Sequence, residues 1–149
     1  MRLVIDSNVL IDGNLDDNSF ANKIIDEVLK GSVFAFVNES LYRENKMIVG
    51  REMMNEEYKA KLLQYLDKLQ KVRGIRVRGV SRDKEDDKVL ASAVAAEAEY
   101  IISSDNDLLL LEEYENIPIV SPQQFWNRYK EDVLGENEWS DFIEKFLTH

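Results

Sequence analysis

The chain contains no cysteine, so neither a disulfide framework nor a thiolate metal site can be built from it. Its one histidine, His149, is the last residue, which excludes a zinc site made of several imidazoles. No apolar run approaches the ~18 residues that a bilayer span requires. The opening Met1-Arg2-Leu3-Val4-Ile5-Asp6 enters a strand directly, without a signal-peptide apolar region, so the expectation is a cytosolic protein with no membrane partner. Positive charge is scarce as well: 19 Lys and Arg stand against 29 Asp and Glu, giving a net charge of −10. That balance argues against a general electrostatic grip on nucleic acid. The objection lifts only if the acids gather at a cation site or are masked by a basic partner.

What is present describes a folded domain: 149 residues, 44% hydrophobic and 32% charged. No internal repeat or low-complexity linker divides the chain, so residues 1–149 read as a single domain. Short apolar runs alternate with helical patterns. Leu3-Val4-Ile5, Val33 to Val37, Tyr100-Ile101-Ile102 and Ile117 to Val120 read as buried strands, and Ile75 to Val80 as a short strand or an approach to one. Between them lie helical stretches at Ser19–Lys30, at about Glu39–Ile48, over Gly50–Lys71 and after Lys84. A further short helix is expected at Leu108–Tyr114, and another opening at Ser121-Pro122. Strands alternating with helices imply a parallel sheet flanked by helices.

The acids are not scattered evenly. Asp6 ends the first strand, with Ser7 and Asn8 behind it. Glu44 sits in the second turn of the helix after the second strand. Asp86 and Asp87 open an Ala-rich helix, and Asp105 and Asp107 follow the strand Tyr100–Ile102. Each has an ordinary reading: Asp6 or Ser7 as an N-cap, Glu44 as an exposed helical charge, Asp86 and Asp87 as acids welcomed by a helix N-terminus. In an open parallel sheet, however, ligands bind beyond the carboxyl ends of the strands, where Asp6 and Asp105 would meet. The helix at Asp86-Asp87 precedes the strand ending at Asp105, and on this reading starts at the opposite edge unless a loop carries it over.

The ordered set Val4-Ile5-Asp6-Ser7-Asn8-Val9-Leu10, Asn38-Glu39-Ser40-Leu41-Tyr42-Arg43-Glu44, Asp86-Asp87-Lys88-Val89-Leu90-Ala91 and Tyr100 to Leu109 resembles the PIN-domain nucleases. Ile119 to Phe125 is similar to that family's last strand and helix. The resemblance implies an α/β fold: a three-layer PIN-like domain whose central parallel sheet has roughly four or five strands flanked by helices. It implies an acidic pocket of Asp6, Glu44, Asp87 and Asp105, with Asp86 and Asp107 as neighbouring metal ligands and Ser7, Asn8 and Ser103 orienting the carboxylates. Asp87 leads over Asp86 because its step to Asp105 fits the family spacing better. Oxygen-only ligands favour Mg²⁺ or Mn²⁺, which would polarise a phosphate and activate water for in-line attack. The implied activity is hydrolysis of single-stranded RNA by a metal-dependent ribonuclease. Small single-domain members of the family are toxins of toxin–antitoxin pairs, so the implied partners are an RNA substrate and an antitoxin protein. Two surfaces could meet that partner. One is the Met53-Met54 region. The other is an amphipathic C-terminal helix over 136–149, with Trp139, Phe142, Ile143, Phe146 and Leu147 on one face, which could pack on its own domain, dock a partner, or make a homodimer.

Two other readings compete. A non-catalytic PIN-like module that binds protein or RNA would suit the acidic balance. A receiver domain would need an acidic pair after the first strand, an aspartate closing a middle strand and a lysine closing a late one. Here Asp6 stands alone, Val33–Val37 ends in Asn38, and no lysine follows Val120.

Overall fold

The computed structural model describes residues 1–14, 16, 19–51, 54–73, 84–134 and 143–147. Its centre is a sheet in which β1 (Arg2–Ile5), β2 (Phe34–Val37), β4 (Tyr100–Ile102) and β6 (Ile117–Val120) carry the apolar runs. The two remaining strands, β3 (Gln70–Lys71) and β5 (Glu113–Tyr114), lie at its edges, and the order is β3-β2-β1-β4-β6-β5. Every pairing is parallel except β5 with β6. The sheet thus has six strands, one beyond the upper expectation, because two short edge pieces join the four apolar ones. Each is two residues long, too short for a period of two to emerge. The expected strand or approach over Ile75–Val80 lies outside the described residues.

Alternate residues of the strands feed two cores. Leu3, Ile5, Ala35, Ile102 and Val120 pack on one face against α1 (Ser7–Asp12), α2 (Phe20–Lys30), α4 (Glu56–Lys68) and α7 (Pro122–Tyr129). Val4, Phe36, Ile101 and Ile119 pack on the other, against α5 (Lys84–Ala96) and α6 (Asn106–Leu111). Helix α3 (Glu39–Val49) contributes to both, Leu41 to one and Ile48 with Val49 to the other. This is the three-layer α/β arrangement that strand–helix alternation implies.

The helix boundaries follow their caps. Ser19 accepts from the Asn22 N–H to open α2, and Gly31 closes it at φ 79°, a left-handed conformation that glycine adopts without a Cβ penalty. Ser121 and Gln124 form a reciprocal capping box at α7, with Pro122 in the first turn. The long stretch Gly50–Lys71 shortens to α4, because Asn55 caps it through the N–H groups of Glu57 and Tyr58. The helix expected over Leu108–Tyr114 is α6, ending at Leu111, after which Glu112 turns at φ 62° into β5. Among the described residues no helix is long and apolar enough to cross a membrane.

Of the two expected docking elements, only parts are described. Met54 is buried in the core and offers no surface, and Met53 lies outside the described residues. Residues 143–147 are helical, but Phe146 and Leu147 are 75% and 78% exposed rather than packed back. Trp139 and Phe142 lie outside the described residues.

Candidate active site

Parallel register brings three strand ends level. Ile5 stands beside Ile102, and Ile102 beside Val120. The Asp6 N–H donates to Ile102 O at 2.9 Å, and the Ser103 N–H to Val120 O at 2.9 Å. Asp6 occupies the N-cap position of α1, where its side chain faces the Asn8 N–H without closing a full capping bond. The carboxylate instead accepts from Ser103 Oγ at 2.8 Å, and Asp6 is only 4% exposed. Burial is the main force on it, raising its pKa to about 6. The Ser103 hydroxyl opposes that shift, Glu44 and Asp105 add to it by repulsion, and the Asn8 backbone N–H lowers it. Glu44 and Asp105 therefore share an electrostatic neighbourhood with Asp6, although one lies in a helix and the other beyond a different strand.

Ser103 works in both directions. Its hydroxyl donates to Asp6 and accepts the Asp105 N–H at 3.0 Å, fixing the two acids relative to each other. Asp105 Oδ1 in turn accepts from the N–H groups of Asp107 (2.7 Å) and Leu108 (3.4 Å), so this residue caps α6. Asp107 is half-buried in the first turn of α6. Ser103→Ala is expected to cost about 1–3 kcal/mol of stability by leaving buried partners unmatched. It is also expected to move the Asp6 carboxyl further up, because the largest influence lowering its pKa is lost. Denaturant unfolding and an NMR titration of the carboxyl carbon would check the two effects.

Helix α3 brings Glu44 to this rim through Asn38. The Asn38 Oδ1 accepts the Leu41 N–H at 2.9 Å, which caps α3, while its Nδ2 donates to Lys88 O at 3.2 Å and its backbone N–H to Ser92 Oγ at 3.0 Å. One residue thus ties the end of β2 to the start of α3 and the first turns of α5. At the other end of α5, Ala96 O accepts from Arg2 Nε, at the start of β1. Helix α5 therefore runs back along the sheet and begins at the strands' carboxyl ends. The expectation that it starts on the opposite edge is wrong, for a simple reason: a helix feeding a parallel strand must return to that strand's amino end, so it starts at the other one.

Asp86 and Asp87 both lie in the first turn of α5, 4% and 9% exposed, so burial does not separate them. Glu44 forms an ion pair with Lys88, whose side chain is 17% exposed. Two residues of this site escape a reading of the sequence: Lys88 and Asn45. Asn45 is fully buried and its Oδ1 accepts from Ser7 Oγ at 2.7 Å, so the residue after Asp6 is fastened to the residue after Glu44. An amide on the otherwise apolar stripe of α3 was the available signal.

Among the described residues no group of three or more acids is arranged closely enough to hold a metal ion. The donor set is nevertheless all oxygen and contains a buried carboxylate with a raised pKa, which is the chemistry of a hard divalent ion. Positive charge at Glu44 comes here from Lys88. Beside these groups opens a groove of about 300 Å³, where Asn8, Ser40, Arg43, Arg51 and Lys88 surround Glu44. A larger cavity of about 600 Å³, between α6, β6 and α7, contains none of the expected site residues.

Two lysines on and just after α4 are engaged away from these acids. Lys61 pairs with Asp26 and donates to Asn22 Oδ1. Lys71, just beyond α4, pairs with Glu39 at 3.3 Å and lies over the Tyr42 ring. The cations that line the groove with Glu44 come from α3 (Arg43), from just beyond its end (Arg51) and from the first turns of α5 (Lys88).

A model of the PIN domain matches residues 2–107. Together with the sheet order and the acids at its carboxyl rim, this places the chain in the PIN-domain family, whose members are generally nucleases that use divalent metals. No curated protein matches it. Among solved structures, one similar chain occurs in the crystal structure of VapBC2 from Rickettsia felis bound to a DNA fragment from their promoter. It is 12% identical, with 81% of this chain and 98% of that chain covered, at a TM-score of 0.56. At that identity the likeness speaks for the fold.

Proposed function

We propose that the protein is a metal-dependent endoribonuclease that hydrolyses single-stranded RNA, acting as the toxin of a toxin–antitoxin pair. The observation that carries this reading is the buried Asp6 carboxylate, held by Ser103 at the end of β1 and under the fields of Glu44 and Asp105. Such a group is costly to keep unless a cation uses it. Asp6, Glu44, Asp87 and Asp105 would hold Mg²⁺ or Mn²⁺, with Asp86 and Asp107 alongside. When bound, the ion supplies Lewis acidity toward a phosphate oxygen and a lowered pKa for water. The chain's own part is to orient the acids through Ser103, Asn45 and Asn38, and to seat the phosphate backbone. In hydrolysis, water oxygen bonds to phosphorus, the P–O bond to the departing ribose oxygen breaks, and that oxygen ends protonated.

The groove bears on the objection raised by net charge. Arg43, Arg51 and Lys88 line it beside Glu44, Arg43 also pairing with Glu39 and Lys88 with Glu44, so local positive charge on an acidic protein supports a grip on a strand. Arg51→Glu is expected to weaken binding of a short single-stranded RNA about tenfold and to lower its salt dependence by about one phosphate contact. Fluorescence anisotropy across a salt series measures both. The antitoxin partner is supported by the fold shared with a chain of the VapBC2 complex.

Cleavage of unstructured RNA with and without Mn²⁺, in the native protein and in Asp6→Asn and Asp105→Asn, tests the activity. Equal cleavage by all three would remove it. A non-catalytic module remains the second reading, favoured by the pairing of Lys88 with Glu44 in place of a cage of acids. RNA binding without cleavage at any Mn²⁺ concentration would select it.

A further inference from the structure

We propose that Lys88 is a tethered counter-ion that competes with the divalent cation for Glu44, so that loading the metal requires the ammonium to leave Glu44 for the neighbouring groove. The inference rests on the reading of the rim as a metal centre, and three observations carry it. Lys88 sits one residue after Asp87, in the first turns of a helix whose start is buried and acidic, and its ammonium is paired with Glu44 rather than directed into solvent. The backbone at Lys88 is fixed, because its carbonyl accepts from Asn38 Nδ2 at 3.2 Å and Ser92 Oγ at 2.8 Å. Only the four-carbon stem is left to move. Finally, Glu44 and Lys88 both line the open groove with Asn8, Ser40, Arg43 and Arg51, so a rotation of the stem carries the ammonium into space where a phosphodiester oxygen can receive it.

The physical logic is one of charge. Without metal, Glu44 and Asp105 each repel the buried Asp6 carboxylate, and a cation on a flexible tether at Glu44 relieves part of that repulsion. A compact, strongly hydrated ammonium suits this task, since it gives up one carboxylate and takes up a phosphate without the fixed fork of a guanidinium. A divalent ion carries twice the charge and displaces it once local concentration suffices. The cost of displacement appears as weakened metal affinity.

The test is calorimetric titration of Mn²⁺ into the full chain, which needs no activity. Lys88→Met keeps most of the stem's volume and removes the charge. It is expected to bind Mn²⁺ about tenfold more tightly than the native protein, while melting at a lower temperature in chelator. The gain should vanish when Glu44 is also changed, Lys88→Met with Glu44→Gln binding no more tightly than Glu44→Gln alone. Unchanged or weaker Mn²⁺ binding by Lys88→Met, with the native protein binding normally, overturns the proposal and leaves the metal centre standing. If neither protein binds Mn²⁺ at millimolar concentration, both fall. Should Lys88→Met fail to fold, Lys88→Arg carries the test. A forked, permanently charged group should hold Glu44 more firmly and weaken Mn²⁺ binding several-fold, and equal or tighter binding overturns the proposal.

Discussion

Asp6→Asn is expected to lower Mn²⁺-dependent RNA cleavage by roughly a thousandfold, about 4 kcal/mol of transition-state stabilisation, with little change in RNA affinity. The substitution preserves shape. An asparagine oxygen can still accept from Ser103 Oγ, so the link from β1 to β4 and onward to Asp105 survives. What disappears is one negative charge at the most buried carboxylate facing Glu44 and Asp105. The effect should therefore fall on the catalytic rate and on Mn²⁺ affinity, leaving phosphate contacts from the groove intact. Single-turnover cleavage measured alongside oligonucleotide binding separates the two. A loss of binding equal to the loss of rate would mean that Asp6 organises the groove instead of the chemistry.

How much of this could be read from the chain is instructive at the level of single residues. Strands β1, β2, β4 and β6 were legible because a strand buried on both faces leaves an apolar run that polar neighbours delimit sharply. Strands β3 and β5 were not, because two polar residues at a sheet edge acquire their conformation from the partner strand alone. Topology, once the sheet was taken as parallel, brought Asp6 and Asp105 to one rim, while Glu44 joined them only through the family resemblance; in the structure both Glu44 and Asp105 act on Asp6. The placement of Asp86 and Asp87 did not follow from topology: strand order alone pointed α5 to the opposite edge unless a loop carried it over, and only the family resemblance put Asp87 in the pocket. The roles of Lys88 and Asn45 were hidden for a different reason: a lysine beside acids, and an amide that stood out on an apolar stripe, gain their meaning only from partners some forty residues away, Glu44 for one and Ser7 for the other. The acidic balance could not say where cations stand: a summed charge is silent on placement, and Arg43, Arg51 and Lys88 line one groove with Glu44.

The same Asp6→Asn protein is expected to be more stable than the native one in chelator at neutral pH, by roughly 3 kcal/mol if the full shift is realised. The sign follows from proton linkage. The folded state raises this carboxyl from 3.8 to about 6, so between those values the native protein binds a proton that the unfolded chain has released. Below about pH 4 the group is protonated in both states and imposes no penalty. As pH rises through 6 the folded protein must ionise a buried acid close to Glu44 and Asp105, and stability is lost over that window. Asparagine cannot ionise. The difference in unfolding free energy between mutant and native protein should therefore be near zero at pH 4, grow between pH 4 and 6, and level off above. Other carboxylates titrate in both proteins and largely cancel. Saturating Mn²⁺ should reverse the order, because a cation that binds the native state of the unmodified site stabilises it by mass action, while the asparagine variant gains little. Urea unfolding at intervals of half a pH unit, with chelator and then with Mn²⁺, measures the whole pattern. A difference independent of pH would show that Asp6 is an ordinary buried hydrogen-bonded residue, and a difference that Mn²⁺ leaves unchanged would show that no ion uses it.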